Sequence, residues 1–273
     1  VATAPPGVTP DFYSFTSLQL RLTIIFGITY IMATLLLGLR LYTGLFLVKR
    51  LGFDALLLVC SWGFSGGFFF VMAQSFPAGF GRHIWDVNYH QLQDYLNMLR
   101  AFFILYLWPT TCVKLSVLLI YHQINPHMVF RYCGICVAIF TIAPTIVYTA
   151  LLIDTCDPRK GDPTCLNSIA LVQTGTNIAS DLLIIAMPIQ MTIRLNMPIR
   201  QKVTVGALLT LGSLCVIFPI IRTSFIQQFL TDPDVTWRQG DVSMWAILET
   251  NFGVICNSLA MLQPFVRRHM PGL

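Results

Sequence analysis

Charged residues are scarce in this chain. They make up 11% of its 273 residues, whereas 55% are hydrophobic, and the mean hydropathy is +0.70. A soluble domain carries about a quarter charged residues, so the composition argues against a soluble protein and for an integral membrane protein. Runs such as 182–185 also lack the alternation of apolar and polar residues that membrane β-strands show. The sequence therefore predicts an all-α membrane protein.

The signatures of several chemistries are missing as well. The last apolar run, 242–265, has no Lys that could form a Schiff base with retinal as in the opsins, which argues against a retinal-based protein. The histidines lie in predicted loops or at helix ends, without the spacing of a zinc-binding pair on a helix. The sequence contains no Gly-x-Ser-x-Gly elbow and no Gly-rich phosphate loop. We therefore predict no cofactor, no metal and no catalytic residue.

Seven long apolar runs alternate with shorter polar segments. Each run is long enough to cross a hydrocarbon core of about 30 Å as a helix that rises about 1.5 Å per residue. We therefore predict a seven-transmembrane helix bundle that contacts the lipid bilayer. The predicted spans are 22–46, 54–76, 96–121, 130–153, 168–192, 203–230 and 242–265.

Basic residues are distributed unevenly between the two ends of this bundle. One end carries Lys49, Arg50, Arg131, Arg194, Arg200, Lys202, Arg267 and Arg268, and the other carries Arg82, Arg159, Lys160 and Arg238. The positive-inside rule places the more basic end, with the C-terminus, in the cytosol and the N-terminus outside. The basic residues that give the chain its net charge of +5 then lie at the level of the lipid headgroups, so no nucleic-acid partner is predicted.

We predict a single folded domain. An extracellular N-terminal segment, 1–20, precedes a seven-helix transmembrane domain, 21–268, and 269–273 begin a cytosolic tail. Cys156 and Cys165 are the two cysteines in a predicted outside loop, where an oxidising compartment permits a disulfide. The alternative is two free thiols.

Four of the apolar runs carry a charged residue that would be costly inside a membrane: Lys114, Asp181, Arg222 and Glu249. An ionisable side chain at membrane depth costs about 3 kcal/mol or more, so it normally faces the bundle interior and has a partner. The rise per residue puts the first two in the cytosolic half and the last two in the outer half. This predicts two pairs, Lys114–Asp181 and Arg222–Glu249. Swapped pairing stays open, as does a Lys114 that reaches the headgroups.

Polar residues accompany these charges at helical spacing. Asn177 lies four residues before the helix-five aspartate, Asn257 eight residues after the helix-seven glutamate, and Tyr121 seven residues after the helix-three lysine. Residues at such spacing share a helix face. We therefore predict an intramembrane polar network, or switch, of Lys114, Asp181, Asn177, Tyr121 and Asn257. For the two asparagines the alternative is a purely structural hydrogen bond between helices.

Several segments together resemble the fungal rhodopsin-domain family of seven-transmembrane, receptor-like proteins. Residues 79–83 are similar to its Gly-x-Gly-x-His segment before helix three, and 114–116 to its Lys-Leu-Ser motif. Asn177 with Asp181, Arg222, and Trp245 with Glu249 match its last three helices. The resemblance covers about residues 38–266. It departs at Asp54, where the family often has two adjacent acids and this chain has one.

The resemblance implies a receptor-like protein of the plasma membrane. We predict that it senses an extracellular or membrane-borne small molecule, apolar or amphiphilic, in a cavity beneath the outside loops. Its predicted ligand-binding residues are Arg222, Glu249, Trp245 and His83. Ligand binding would shift helices six and seven, and the Lys114–Asp181 pair would pass the change to the inner face, where a cytosolic signalling protein could bind.

The alternative is a membrane enzyme of the isomerase or cyclase type that acts on a lipid-like metabolite. Glu249 or Asp181 would then be the general acid, because burial raises the pKa of a carboxyl group. A carboxylate paired with Arg222 stays ionised, however, and this favours the receptor. A transporter would need inverted repeats and interrupted helices, which the sequence does not reveal.

Overall fold

The computed structural model describes residues 14–49, 52–124, 128–154, 156, 163–194, 216–227, 232 and 234–261. Within these ranges the chain is all-helical and has no strand, as predicted. The seven helices are α1 (Ser17–Tyr42), α2 (Phe53–Ser75), α3 (Tyr89–Ile124), α4 (Met128–Asp154), α5 (Pro163–Arg194), α6 (Val216–Gln227) and α7 (Val235–Ala260).

Five of the helices are long and apolar enough to cross a membrane. These five are α1, α2, α3, α4 and α5. Large apolar side chains such as Ile31, Leu35 and Phe70 are exposed on their surfaces. Exposed apolar side chains in such numbers need a hydrocarbon solvent rather than water. The chain is therefore an integral membrane protein whose helices contact the lipid bilayer.

A capping box starts α1 earlier than the sequence predicted. The Thr16 hydroxyl accepts a hydrogen bond from the Gln19 backbone, and the Gln19 side chain accepts one from the Thr16 backbone. These two bonds satisfy N–H groups that a helix start would otherwise leave free. As a result α1 begins inside the segment, 1–20, that we had predicted to precede the helices; residues 1–13 of it lie outside the described ranges.

The connection between α2 and α3 closes one end of the bundle, which we call the cap end. Gly79 and Gly81 have φ angles of 94° and 73°, in the left-handed region that favours glycine. The Gln19 side chain donates to the Phe80 carbonyl over 2.7 Å, and the Thr236 hydroxyl donates to the Arg82 carbonyl over 2.7 Å. The glycine turn is thus held between the starts of α1 and α7. The opposite end, where α3 meets α4, is the turn end.

Two further predictions concern the cap end. Cys156 and Cys165 form the predicted disulfide, with their Cα atoms 5.7 Å apart, and it joins the end of α4 to the start of α5. Helix α7 begins at Val235, several residues before the predicted span 242–265, so Trp237 lies on a helix rather than in a loop. Much of the predicted sixth span, 203–230, and the predicted tail lie outside the described residues.

Helix α3 is the centre of the bundle. Its 36 residues pack against α2, α4, α5 and α7. Gly253 of α7 allows a close approach there, since a Cβ at this position would lie 2.9 Å from a methyl group of Val113. Charged side chains on α3, α5 and α7 are therefore within reach of one another.

Candidate ligand cavity and its buried charge network

Lys114 of α3 is buried at the α3–α5 contact. Its Nζ lies 2.9 Å from Asp181 Oδ1. It also donates to the Asn177 backbone oxygen over 2.8 Å, to Asn177 Oδ1 over 2.6 Å and to Ser180 Oγ over 2.7 Å. A buried ammonium is tolerated only when its attraction to partners offsets its lost hydration. Here the offset comes from one carboxylate and three oxygen acceptors.

Glu249 of α7 is the centre of the second group of contacts. Arg222 Nε of α6 lies 3.3 Å from Glu249 Oε2, and the Tyr106 hydroxyl donates to the same oxygen over 3.1 Å. The Arg222 guanidinium also lies over the Tyr106 ring, 4.5 Å from its centroid, a favourable cation–π position. Tyr106 was missed by the sequence analysis, although it lies two turns before Lys114 inside the same apolar run.

Asn177 joins the two ion pairs into one network. Its Oδ1 accepts from Lys114, and its Nδ2 donates to Glu249 Oε1 over 2.8 Å. The sequence analysis placed the pairs in different halves of the membrane, whereas the structure brings them together through this one amide. Two cations and two anions make the network neutral. Because each partner depends on the others for its hydrogen bonds, we expect their contributions to be strongly non-additive.

Arg222 is not fully satisfied by this network. Its Nε, although within ion-pair distance of Glu249, makes no hydrogen bond, and neither does the buried Nη2, among the residues that the structure describes. A buried donor without an acceptor costs about 1–3 kcal/mol. Such a group marks a place where an additional acceptor would be stabilising.

The Arg222 side chain lines a cavity of about 330 Å³ between α3, α5, α6 and α7. This volume is at the lower end of the range of small-molecule sites. Apolar side chains line most of it, and a few polar side chains from the same four helices line the rest. The polar lining residues include Tyr106, Asn167, Gln173, Arg222, Gln239 and Ser243. The cavity can therefore hold a small molecule that is mostly apolar and carries one or two polar atoms.

The four predicted ligand-binding residues do not converge on this cavity. Of them, Arg222 alone is among its described lining residues. Glu249 lies behind Arg222, in contact with Asn177 and Tyr106. Trp245 packs its ring near Phe218 and Phe225 of α6, and its buried Nε1 has no hydrogen-bond partner among the described residues. Trp245 therefore contacts α6 beside the cavity.

His83 is at the cap end rather than in the cavity lining. Its ring stacks between Trp85 and Trp237, at centroid distances of 4.4 and 4.2 Å. Its Nδ1 shares a hydrogen bond with Asp234, which also accepts from the Ile84 backbone over 2.9 Å. This arrangement, which we call the histidine clasp, ties the α2–α3 connection to the start of α7. The sequence analysis missed it because the predicted last span began at residue 242, after Trp237.

Asp232 is just before the histidine clasp and also lines the cavity. Two hydrogen bonds lower the pKa of its carboxyl group below the ordinary value. The larger effect comes from the Asp234 backbone N–H and the smaller from the Arg238 side chain. Arg238 Nη2 lies 2.9 Å from Asp232 Oδ2. At neutral pH the cavity rim therefore carries an ionised carboxylate that is already paired with a cation.

Replacing His83 by Ala is expected to lower the free energy of unfolding by about 1–3 kcal/mol. The loss combines a hydrogen bond to a carboxylate with two stacked aromatic contacts, on a side chain that is about one-third exposed. Thermal unfolding of the purified protein measures the change. His90→Ala, which removes an exposed histidine from the first turn of α3, is the matched control. Equal melting temperatures for both variants would show that the clasp contributes no stability.

A third buried ion pair, absent from our prediction, is at the turn end. The Arg40 guanidinium of α1 pairs with Asp54 of α2. It also donates to the Asn257 backbone oxygen over 2.8 Å and to Asn257 Oδ1 over 2.9 Å. Gln123 of α3 donates to the other Asp54 oxygen over 3.2 Å. Asn257 therefore belongs to this cluster and not to the Lys114 network.

Tyr121 is also apart from the Lys114 network. It belongs to an apolar cluster with Leu118, Val137, Ile184 and Met187, where α3, α4 and α5 meet. Tyr121 and Lys114 are both on α3, as their spacing of seven residues predicts. Two helical turns separate them, however, so Tyr121 lies nearer the turn end and does not reach the Lys114 network.

Among the described residues, no group of three or more His, Cys, Asp or Glu side chains could hold a metal ion.

These features define a seven-helix integral membrane protein with a buried, neutral charge network beneath a small apolar cavity. The chain belongs to the fungal rhodopsin domain family, whose model matches residues 39–268, and the resemblance seen in the sequence is thereby confirmed. It is 28% identical over 202 residues to a SAT4 family membrane protein of Emericella nidulans. The matched region covers 69% of this chain and 50% of that relative, so the chain spans half the length of the curated protein it matches. No solved structure matches the chain.

Proposed function

We propose that the chain is a receptor-like membrane protein that binds a small amphiphilic molecule in the cavity between α3, α5, α6 and α7. The observation that carries this proposal is Arg222, a buried arginine that lines an apolar cavity and has two guanidinium nitrogens without hydrogen-bond partners among the described residues. A ligand oxygen that accepts from this guanidinium would remove the cost of the free donors. An apolar ligand body would bury the remaining lining.

The ligand we infer is uncharged at its polar end. The four buried charges already balance, so a carboxylate ligand would leave a net negative charge beside Glu249, and burying an unpaired charge is costly. A carbonyl, amide or hydroxyl oxygen accepts a hydrogen bond without changing the charge. Uncharged polar side chains on the cavity wall, such as Gln173 and Ser243, favour the same class of ligand.

Hydrogen bonds offer a route from the cavity to the deeper ion pair. Arg222 contacts Glu249, Glu249 accepts from Asn177, and Asn177 accepts from Lys114. A ligand that pulls the guanidinium towards itself weakens its hold on Glu249 and alters the two hydrogen bonds of Asn177. A shift of α6 against α7 would then change the Lys114–Asp181 contact. Ligand binding changes the state of a protein only through such differential contacts.

The proposal includes an orientation and a location. The distribution of basic residues favours a cap end that faces outward and a turn end that faces the cytosol. The resemblance to the receptor-like family favours the plasma membrane. The ligand would enter from outside or from the bilayer, and a cytosolic signalling protein would contact the turn end. The curated relative is about twice as long as the matched region, so signalling by the whole protein is part of this proposal.

The alternative, an enzyme with Glu249 or Asp181 as general acid, has less support. Neither carboxyl is among the described residues that line the cavity, and a general acid must reach its substrate within hydrogen-bond distance or through one water. Both Glu249 oxygens also already have partners, because Tyr106 and Arg222 contact one of them and Asn177 donates to the other.

Replacing Arg222 by Gln is expected to weaken the affinity for the ligand about tenfold or more, because an arginine donor buried in an apolar site is lost. The protein is reconstituted in lipid and incubated with fractionated extracts of its host and surroundings. Mass spectrometry follows both bound and free small molecules. The matched control is Arg21→Gln, which removes an exposed arginine from α1 at the cap end.

Three outcomes are informative. A molecule that stays unchanged on the parent protein and on Arg21→Gln, but not on Arg222→Gln, supports the receptor. A molecule converted to a new product, dependent on Glu249 or Asp181, would replace the receptor by the enzyme. A molecule retained equally by all three proteins would show that the cavity at Arg222 is not its site.

A further inference from the structure

A second apolar hollow, which we call the lateral groove, is at the turn end and is separate from the ligand cavity. Its volume is about 330 Å³. The apolar lining comes mainly from α3 and α4, with contributions from α2 and α5. The residues that define it include Leu57, Leu118, Leu119, Ile135, Ala138 and Met187. A groove of this composition fits a hydrocarbon chain.

The lateral groove has basic side chains at one end. His122, in the last turn of α3, and Arg131, in the first turn of α4, are among its lining residues. Arg131 Nε is buried and has no hydrogen-bond partner among the residues that the structure describes. The nearest acid on α2, Asp54, is already paired with Arg40. The basic end of the groove therefore has spare donors and no described carboxylate to occupy them.

The face around the groove is one that contacts lipid. Met128, Val129 and Tyr132, on the first two turns of α4, are each about two-thirds exposed, and Ile139 follows at 60%. Because α4 crosses the membrane and Arg131 lies within one turn of its start, the guanidinium is at the depth of the headgroups. The apolar part of the groove then extends towards the bilayer centre.

We propose that the lateral groove binds an anionic phospholipid from the surrounding leaflet. One acyl chain fills the apolar part between α3 and α4, and the lipid phosphate accepts hydrogen bonds from Arg131 and His122. Arginine is well suited to this role because its planar fork matches the phosphate oxygens. A zwitterionic lipid could place a chain in the groove but would bring its own cation to the basic end. The charge of the site therefore selects an anionic headgroup.

The test compares phosphatidylglycerol with phosphatidylcholine as bound lipid. The full chain is reconstituted in nanodiscs that contain both lipids and is then released into a mild detergent. Native mass spectrometry counts the phosphatidylglycerol molecules that stay on the protein. Arg131→Gln is expected to lower retention of phosphatidylglycerol about tenfold, the effect of losing one charge-assisted hydrogen bond. Arg131→Lys, which keeps the charge, is expected to retain part of it.

A second variant tests the apolar part without changing charge. Gly134 lines the groove, and a Cβ added there meets only the end of Met187, at an ordinary 3.6 Å. Gly134→Leu should therefore fold but occupy the space of the acyl chain, and a loss similar to that of Arg131→Gln is expected. The matched control is Lys49→Gln, which removes an exposed cation from the same end of the bundle and outside the groove.

The result that supports the site is loss in Arg131→Gln and Gly134→Leu, retention in Lys49→Gln, and no displacement by excess glycerol 3-phosphate. Displacement by glycerol 3-phosphate would reduce the site to a phosphate site without a lipid chain and overturn the proposal. Equal retention of phosphatidylglycerol by all variants, or equal retention of phosphatidylcholine and phosphatidylglycerol by the parent protein, would also overturn it. Unchanged melting temperatures of the variants separate lipid loss from unfolding.

Discussion

Replacing Lys114 by Met is expected to lower the free energy of unfolding by about 3–5 kcal/mol, among the largest effects of any single substitution in this chain. The change leaves the Asp181 carboxylate in the bundle without its cation, and removing one partner of a buried ion pair costs about this much. It also leaves Asn177 Oδ1 and Ser180 Oγ without the donor that each now has. Unfolding of the purified protein in mixed micelles measures the loss.

The control is the double variant Lys114→Met, Asp181→Leu. Removing both charges leaves no uncompensated ion, and apolar replacements for a buried pair are often neutral or stabilising. The double variant should therefore recover most of the loss caused by Lys114→Met alone, which a double-mutant cycle quantifies. A double variant as unstable as the single one would show that Lys114 stabilises the bundle through Asn177 and Ser180 rather than through Asp181.

The contacts of Lys114 and Arg222 illustrate what a sequence can predict in this fold. Each charge interrupts an apolar run, and its depth follows from the rise of a helix, so the sequence limits which charges can meet. The lateral arrangement of the helices is a different matter. Asn177 bridges the two pairs because its side chain extends from α5 to both Lys114 of α3 and Glu249 of α7, and no spacing along the chain specifies that.

The histidine clasp and the Arg40 cluster were missed for two distinct reasons. The clasp depends on where α7 begins, and helix starts are the least certain part of a prediction from sequence. Arg40 was visible inside the first apolar run, but an arginine near a span end usually extends to the headgroups. What decides its burial is Asn257, on a helix more than two hundred residues away in the chain, together with Asp54.

Replacing Arg40 by Met is expected to destabilise the turn end by about 3–5 kcal/mol. The Arg40 guanidinium is 5% exposed and holds α1 to α2 through Asp54 and to α7 through Asn257. Its loss leaves the Asp54 carboxylate buried with Gln123 as its remaining described donor, and an uncompensated buried charge is strongly destabilising. Unfolding measurements give the total effect, and hydrogen exchange shows whether amides at the turn end lose protection before those at the cap end.

Two further variants separate charge from packing at this site. Asp54→Asn removes the anion and leaves one side-chain oxygen, which can accept from Arg40 or from Gln123. The arginine then keeps its bonds to Asn257, so a smaller loss of stability is expected than for Arg40→Met.

Arg21→Met changes an exposed arginine of the same helix at the cap end and should alter stability by less than about 0.5 kcal/mol. If Arg40→Met were no more destabilising than Arg21→Met, the cluster would not hold α1, α2 and α7 together. A large loss confined to the turn end would show that this end opens independently of the charge network above it.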